Sequence, residues 1–386
     1  MDLSLSEEHE ALRRLAAEFT DREVAPFATA WDRAERVDPK IVPKLGELGF
    51  LGLTIPEEYG GSGGDHFGYV LALEELGRGD SAVRGIVSVS LGLVGKSIDK
   101  WGTESQKRRW LPELCAGREL ACFALTEPDH GSDAANLRTK AVREGDSWLI
   151  SGSKMFITNG TTADVALVFA RTGAAGSGYK GISAFLVPTD LPGFERKEIH
   201  GKLGLRGQAT AELVFDGVEI PGEAMLGPEG KGFSVAMSAL AKGRVSVAAG
   251  CVGIAEAALR AAVKHATTRI QFDGKVIAER QLVQELIAAI ATDVDAARLL
   301  TWRAADLIDR GLDFARESSM AKLFASEAAV RSANNALQVF GGYGYIDEYP
   351  VGKLVRDARV MTLYEGTSEL QKLLIGRAHT GINAIA

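Results

Sequence analysis

Apolar residues recur at helical spacing up to about residue 118. After Ser6, which can start a helix, the run Glu7 to Phe19 carries its apolar residues on one face. Similar patterns predict helices over Lys40 to Leu48, Tyr69 to Leu76 and Val87 to Trp101, with a glycine-rich connection from Pro56 to Gly64. Near Leu120 the spacing changes. Short runs at Ala121 to Leu125, Trp148 to Ile150, Val165 to Ala170, Ile182 to Val187 and Ala211 to Phe215 read as strands. Turns such as Glu144-Gly145-Asp146 and Phe215-Asp216-Gly217 separate them. After Gly232 helical spacing returns, over Phe233 to Ala241, Val245 to Arg269, Leu282 to Arg310, Phe314 to Phe340 and Leu370 to Ala378.

This order predicts a multidomain α+β chain. A helical domain spans 1–118, a β domain built as an antiparallel barrel or sandwich spans 119–231, and a helical bundle spans 232–386. Internal repeats are absent, which argues against a solenoid. With 386 residues, 46% hydrophobic and 25% charged, the chain has the composition of a globular protein with sizeable cores. A net charge of -7 and the lack of a basic block argue against nucleic-acid binding. The acidic start, Met1 to Glu8, lacks a secretory pattern, and the apolar run from Val245 meets Glu256 too early to span a bilayer. Three scattered cysteines, Cys115, Cys122 and Cys251, and six histidines without ligand spacing predict no disulfide framework, no metal site and a reducing cytoplasm.

Four segments could carry chemistry. Ala124 to Asp133 leaves a strand as a loop in which Thr126 and Ser132 can donate hydrogen bonds and Gly131 admits close approach; its composition equally suits a surface turn. In Lys154 to Gly160, Phe156 and Thr158 lie two apart on a strand and so share a face, where an aromatic and a hydroxyl can meet a flat ring or simply line a sheet core. Gln338 to Tyr345 follows a long helix, and Gly341, Gly342 and Gly344 expose N–H groups that could cradle a phosphate or end the helix. Finally, Tyr364-Glu365-Gly366-Thr367-Ser368 forms a corner ahead of a helix, with Ser368 and Gln371 spaced as a capping box. A carboxylate on such a corner can take a proton from a ligand, or merely complement the helix dipole. Two further motifs fail. Ser90 to Ser97 ends like a phosphate loop but lacks the first glycine, and no Gly-x-Gly-x-x-Gly opens a βαβ unit.

In order and spacing, Leu125-Thr126-Glu127 through Gly131-Ser132-Asp133, Gln338 through Asp357, and Tyr364 through Ser368 resemble the acyl-CoA dehydrogenase family along essentially the whole chain. The resemblance implies an N-terminal helical domain, a middle antiparallel β-barrel domain and a C-terminal four-helix bundle. It implies bound FAD and α,β-dehydrogenation of an acyl thioester, with Glu365 as the base that removes the α-proton while the β-hydrogen leaves as hydride. It places Phe123, Leu125, Thr126, Phe156, Ile157 and Thr158 around the flavin ring, with Ser132 touching both cofactor and thioester. Arg269, Phe272, Gln281, Gln338, Val339, Gly341 and Gly342 would bind the diphosphate and adenosine part across a subunit boundary, and Thr367 and Glu369 would complete it. Arg244, Tyr364 and Gly366 would border the substrate. Implied partners are an acyl-CoA or acyl carrier protein thioester, an electron-transfer flavoprotein and further copies of the chain in a homotetramer. An oxidase on the same scaffold, or a non-dehydrogenating FAD and thioester binder, are the alternatives. The chain departs from the family pattern at Ala241, where an aspartate is usual, at Gln208, where a serine is common, and at Asp273, an extra residue after Phe272. Gly243 stands where one subfamily carries a relocated glutamate, which leaves Glu365 as the base.

Overall fold

The computed structural model describes residues 4–174 and 176–384. The first part is helical: α1 (Glu7–Phe19), α2 (Ala28–Ala34), α3 (Ile41–Glu47), α4 (His66–Gly79), α5 (Ser81–Val87), α6 (Lys96–Trp101) and α7 (Glu104–Cys115). Ser6 caps α1 by accepting the His9 N–H, and Thr103 with Gln106 forms a reciprocal capping box on α7. The single helix expected over Val87 to Trp101 changes pitch: Ser88–Gly95 is wound as a π-helix, buried throughout.

The sheet contains β1 (Ala121–Ala124), β2 (Lys140–Glu144), β3 (Ser147–Thr158), β4 (Val165–Arg171), β5 (Ile182–Pro188), β6 (Phe194–Glu198) and β7 (Thr210–Pro221). Its order is β1-β4-β2-β3-β7-β6, with β5 also on β4. The expected uniform antiparallel order does not hold. β1 and β4 run parallel, because the chain makes the β2–β3 hairpin between them and returns in the same direction. No pairing among the described residues joins β5 to β6, so the hydrogen-bonded ladder is open. β2 and β6 escaped the sequence pattern because their faces are largely exposed and charged; their pairing partners, not an apolar stripe, make them strands. β4 shows the opposite case. Val165, Leu167 and Phe169 join the helical core, while Ala166, Val168 and Ala170 join a core closed by β3 and β7. Both faces are buried, so its sequence is uninterrupted and apolar.

The last part holds α8 (Gly232–Thr268), a hairpin of β8 (Ile270–Gln271) and β9 (Lys275–Val276), α9 (Gln281–Asp309), α10 (Ala315–Phe340), α11 (Val351–Met361) and α12 (Ser368–Thr380). Two helices were expected where α8 runs unbroken. Gly243 does not interrupt it, because burial against α4 and α10 outweighs a glycine penalty of about 1 kcal/mol. α8 meets α4 backbone to backbone at Gly250 and Gly77. By length and composition, Ser81–Trp101 and Gly232–Thr268 could cross a membrane, contrary to the reading of the apolar runs; their most apolar windows are 94% and 72% buried inside the fold, as core helices are.

A buried charge cluster ties the three parts together. Lys353 on α11 reaches Asp80, between α4 and α5, at 3.2 Å and Asp357 at 2.6 Å. Asp357 in turn accepts the Leu205 N–H from the loop between β6 and β7 at 2.6 Å. Each charge is met by an opposite one or by a backbone donor, which is what makes such burial tolerable.

Candidate active site

Between α11 and α12 the chain turns through Glu365 at φ +52° and Gly366 at φ +98°. A glutamate in the left-handed region persists only where its surroundings hold it there. Here Lys322 Nζ on α10 donates to the Gly366 carbonyl at 2.8 Å, and Gln371 Nε2 donates to the same oxygen at 3.0 Å. The capping box expected of Ser368 and Gln371 is not formed. Thr367 caps α12 by accepting the Leu370 N–H, Ser368 donates to Glu327 at 2.6 Å, and Gln371 is occupied as a clamp on the corner. The cap shifts by one residue because Gln371 is buried and turned back toward the loop.

The corner delivers a carboxylate into a dry position. Glu365 is half-buried as a residue, but its Oε2 is closed to solvent and has no hydrogen-bond partner. Burial pushes its carboxyl up to about 7, against the opposing pull of Arg84, Lys322 and Arg244. The Glu365 N–H finds no acceptor among the described residues. Opposite lies Gly243 of α8, where a Cβ would run into Glu365 Oε2. Arg244, next on the helix, is half-buried with an unpartnered Nε. Tyr364 accepts a hydrogen bond from Arg84 at 2.7 Å.

The β domain supplies the facing wall. Phe123 packs on Phe169 with ring centroids 4.9 Å apart and against Val89 and Leu93 of the π-helix and Ala239 of α8. Leu125 is buried beyond it, and the Thr126 carbonyl accepts the Met155 N–H at 2.8 Å, fastening the loop after β1 to β3. A bulge follows in β3. Phe156 takes φ +60° and turns outward, 67% exposed, while Ile157 enters the sheet core and Thr158 stays half-exposed. The side chain of Ile157 therefore faces away from any ligand on that surface. Ser132 is exposed in its loop. Glu127 is taken up structurally: it accepts from the Arg138 and Thr139 N–H groups and from buried Lys154 at 2.9 Å.

A second surface lies at the end of the long helices. A cleft of about 480 Å³ is lined by Arg269, Val339, Gly341 and Gly342, with His265 and Tyr343 beside them. Nothing stands within 4 Å of where a Cβ would be on Gly341 or Gly342, so their backbone is open to a ligand. The Arg269 guanidinium lies over the Tyr343 ring at 5.0 Å. Phe272, Gln281 and Gln338 are exposed near it but do not line the cleft. Phe272, Asp273 and Gly274 all take positive φ, so the extra Asp273 is absorbed in the β8–β9 hairpin loop while Arg269 stays in the cleft. Thr367 and Glu369 sit at the start of α12, and no hydrogen bond among the described residues links this surface to the β wall.

Two positively charged residues near the carboxylate were not singled out in the sequence. Arg84 had a signal, a lone cation inside Ala82-Val83-Arg84-Gly85-Ile86-Val87. Lys322 had none, since its partner is a backbone carbonyl far along the chain. An outward aromatic beside Thr126 fits a flat ring, and an open glycine backbone next to an arginine fits an anionic diphosphate. Helical layers thus enclose a dry carboxylate, with an outward aromatic on the β wall and an open glycine backbone beside an arginine at the end of the long helices.

Family models describing the acyl-CoA dehydrogenase N-terminal, middle and C-terminal domains match residues 6–118, 122–218 and 230–380. The chain belongs to the acyl-CoA dehydrogenase family, whose members are FAD flavoproteins. It is 44% identical to an acyl-CoA dehydrogenase of Bacillus subtilis over 97% of this chain and 98% of that one. It is 43% identical to the mitochondrial short-chain specific acyl-CoA dehydrogenase of Rattus norvegicus, over 97% of this chain and 90% of the other. Among solved structures, butyryl-CoA dehydrogenase from Megasphaera elsdenii aligns with TM-score 0.95 at 40% identity, covering 98% of this chain and 100% of that one. A chain from work on the electron transferring flavoprotein of Acidaminococcus fermentans aligns with TM-score 0.96 at 42% identity over 98% and 100%. A glutaryl-CoA dehydrogenase from Mycobacterium smegmatis in complex with FADH2 aligns with TM-score 0.94 at 36% identity over 99% and 97%.

Proposed function

We propose that this chain dehydrogenates an acyl-CoA thioester across its α–β bond, with Glu365 as the base. The observation that carries this reading is the unpartnered, solvent-closed Oε2 of Glu365, whose carboxyl is pushed up to about 7. A carboxyl near that value is ionised often enough to accept a proton and basic enough to hold it. The electron pair of the broken Cα–H bond becomes the new C=C bond as the β-hydrogen departs with its own pair. FAD, when bound, supplies the acceptor for that hydride. The unengaged Glu365 N–H is available to the thioester oxygen, where negative charge develops. Gly243 keeps the slot open, Lys322 fixes the corner, and Phe123 with the π-helix keeps water out.

Phe123, Leu125, Thr126, Phe156, Thr158 and Ser132 are the residues for the ring, with Ile157 contributing backbone only. Arg269, Val339, Gly341 and Gly342 are those for the diphosphate; Phe272, Gln281, Gln338, Thr367 and Glu369 complete it from a second copy's side or their own. Arg244, Tyr364 and Gly366 border the thioester. A homo-oligomer, with the homotetramer as its form, belongs to this reading; the exposed Phe272 and Leu282, 77% and 79% exposed, are apolar surface that a second copy would cover. Domain limits near 118 and 231, a C-terminal four-helix bundle, an electron-transfer flavoprotein as acceptor and a cytoplasmic setting belong to the same reading. The last is supported by three buried free cysteines.

Anaerobic titration of the yellow holoenzyme with acyl-CoA thioesters tests the reading: flavin bleaching with formation of a 2-enoyl thioester is expected. A protein that takes up no FAD, or whose flavin no thioester bleaches, would overturn it.

A further inference from the structure

The β wall of the site is assembled from two strands that are not laddered to each other. β1 pairs with β4, and β3 pairs with β2 and β7; among the described residues no ladder joins β1 to β3. Leu125 and Thr126, just past β1, nevertheless share one surface with Phe156 and Thr158 of β3. Groups on β3 supply the connections that a ladder would have made. Lys154 is 0% exposed, and its Nζ donates to the Leu125 carbonyl at 3.1 Å and to Glu127 Oε1 at 2.9 Å. The ammonium thus bonds the residues on both sides of Thr126. The next residue, Met155, donates its N–H to the Thr126 carbonyl itself. Just past the end of β3, buried Asn159 turns at φ +62°, and its Nδ2 donates to the Ala121 carbonyl, at the start of β1, at 3.2 Å.

These bonds bracket the bulge that turns Phe156 outward. The register of β3 on β7 shifts between Lys154 and Ile157, and Asn159 follows the last paired residue, Thr158. A bulge disrupts its ladder locally, so nothing in the β3–β7 pairing fixes where Phe156 points. Two buried side chains pin the bulge to β1 at both ends instead. Glu127 extends the hold: by accepting the Arg138 and Thr139 N–H groups it closes, at its neck, the loop that carries Ser132. Packing alone does not call for a charge at 154, since an apolar side chain of similar volume often serves stability as well as a buried ion pair or better. What an apolar side chain could not do is bond the residues on either side of Thr126.

We propose that Lys154 and Asn159 are positioning residues: they hold Thr126 and the Phe156 bulge in one fixed arrangement against the flavin ring, so that the ring keeps its place relative to the substrate. The redox consequence rests on the dehydrogenase reading; the hold on the ring rests on flavin binding alone. Lys154→Met by itself mixes position with stability, because it leaves Glu127 as a lone buried charge. The double variant Lys154→Met/Glu127→Gln removes the pair together, and Asn159→Gly keeps the left-handed turn while deleting the amide. Each is purified as the FAD holoenzyme and compared with the wild type. The readouts are melting temperature, the vibronic shoulder of the flavin absorption band, flavin fluorescence anisotropy, and the rate of anaerobic bleaching against acyl-CoA concentration. The double variant should melt above Lys154→Met. Both variants should show a blurred shoulder and lower anisotropy than the wild type. In Asn159→Gly the bleaching rate at saturation should fall at least about tenfold while the half-saturating concentration moves less than about threefold, because the ring is misplaced and the thioester's own contacts are kept. If no thioester bleaches the wild-type flavin, the dehydrogenase reading fails, and the shoulder and anisotropy still decide the positioning claim. A wild-type shoulder and anisotropy in both folded variants overturns it, as does a bleaching rate that falls only in step with melting temperature.

Discussion

Replacing the carboxylate at 365 by its amide separates shape from basicity. Glu365→Gln should keep the corner and the yellow flavin yet lose bleaching by acyl-CoA, because an amide cannot accept the α-proton; spectral titration of the variant reads this directly. In the wild-type protein, kcat/KM should rise as pH climbs through about 7 and level off above it, since only the ionised carboxylate is a base and burial has moved its titration there. Loss of positive charge nearby moves that inflection upward. Lys322→Met removes both a charge and the donor on the Gly366 carbonyl, so its profile should shift to higher pH while kcat falls about tenfold. A fall in kcat with an unmoved profile would make Lys322 purely structural. Glu365 itself was legible as a carboxylate on a corner, and the corner is there. Its basicity was not, because it comes from burial among segments far apart in the chain, which outweighs the opposing pull of Arg84, Lys322 and Arg244.

At the scale of elements, α8 carries the tightest constraint. Gly243→Ala is harmless to an isolated helix and even favours it. Here the new Cβ meets the Glu365 carboxylate and buried Leu93, so kcat should fall at least about a hundredfold, well beyond what a stability loss of about 1–3 kcal/mol would produce. The loop after β1 depends on the buried Glu127–Lys154 pair, and Lys154→Met leaves Glu127 buried without its cation. Urea denaturation should show a loss of about 3–5 kcal/mol. Helices such as α1, α9 and α10 were legible from one apolar face, whereas α2, α7 and α11 form without having been predicted; β4 and β5 were legible from two apolar faces. β2 and β6 were not, because charged side chains such as Arg143 and Lys197 face solvent there. The misplaced cap on α12 has a similar origin: Thr367 takes the cap that the Ser368 to Gln371 spacing suggested, because burial turns Gln371 back onto the corner.

Across the whole molecule, the two candidate cofactor surfaces predict behaviour that no single segment does. Arg269→Ala should weaken FAD retention by tenfold or more, roughly what one charge-assisted hydrogen bond contributes, as read by flavin absorbance after gel filtration. FAD held as tightly as before would remove the arginine from the diphosphate site. The three-part order of the chain was legible from its changing periodicity, while the mixed sheet was not, since strand direction is set by contacts between distant segments. One such long-range link reaches furthest. Lys353 grips an aspartate from the first part and another whose second oxygen holds the loop of the middle part. Pulling on any one of these three would disturb the other two. A calorimetric scan should therefore trace one symmetric endotherm, not a staircase of separate meltings, and a lysine-to-methionine change at 353 should split it.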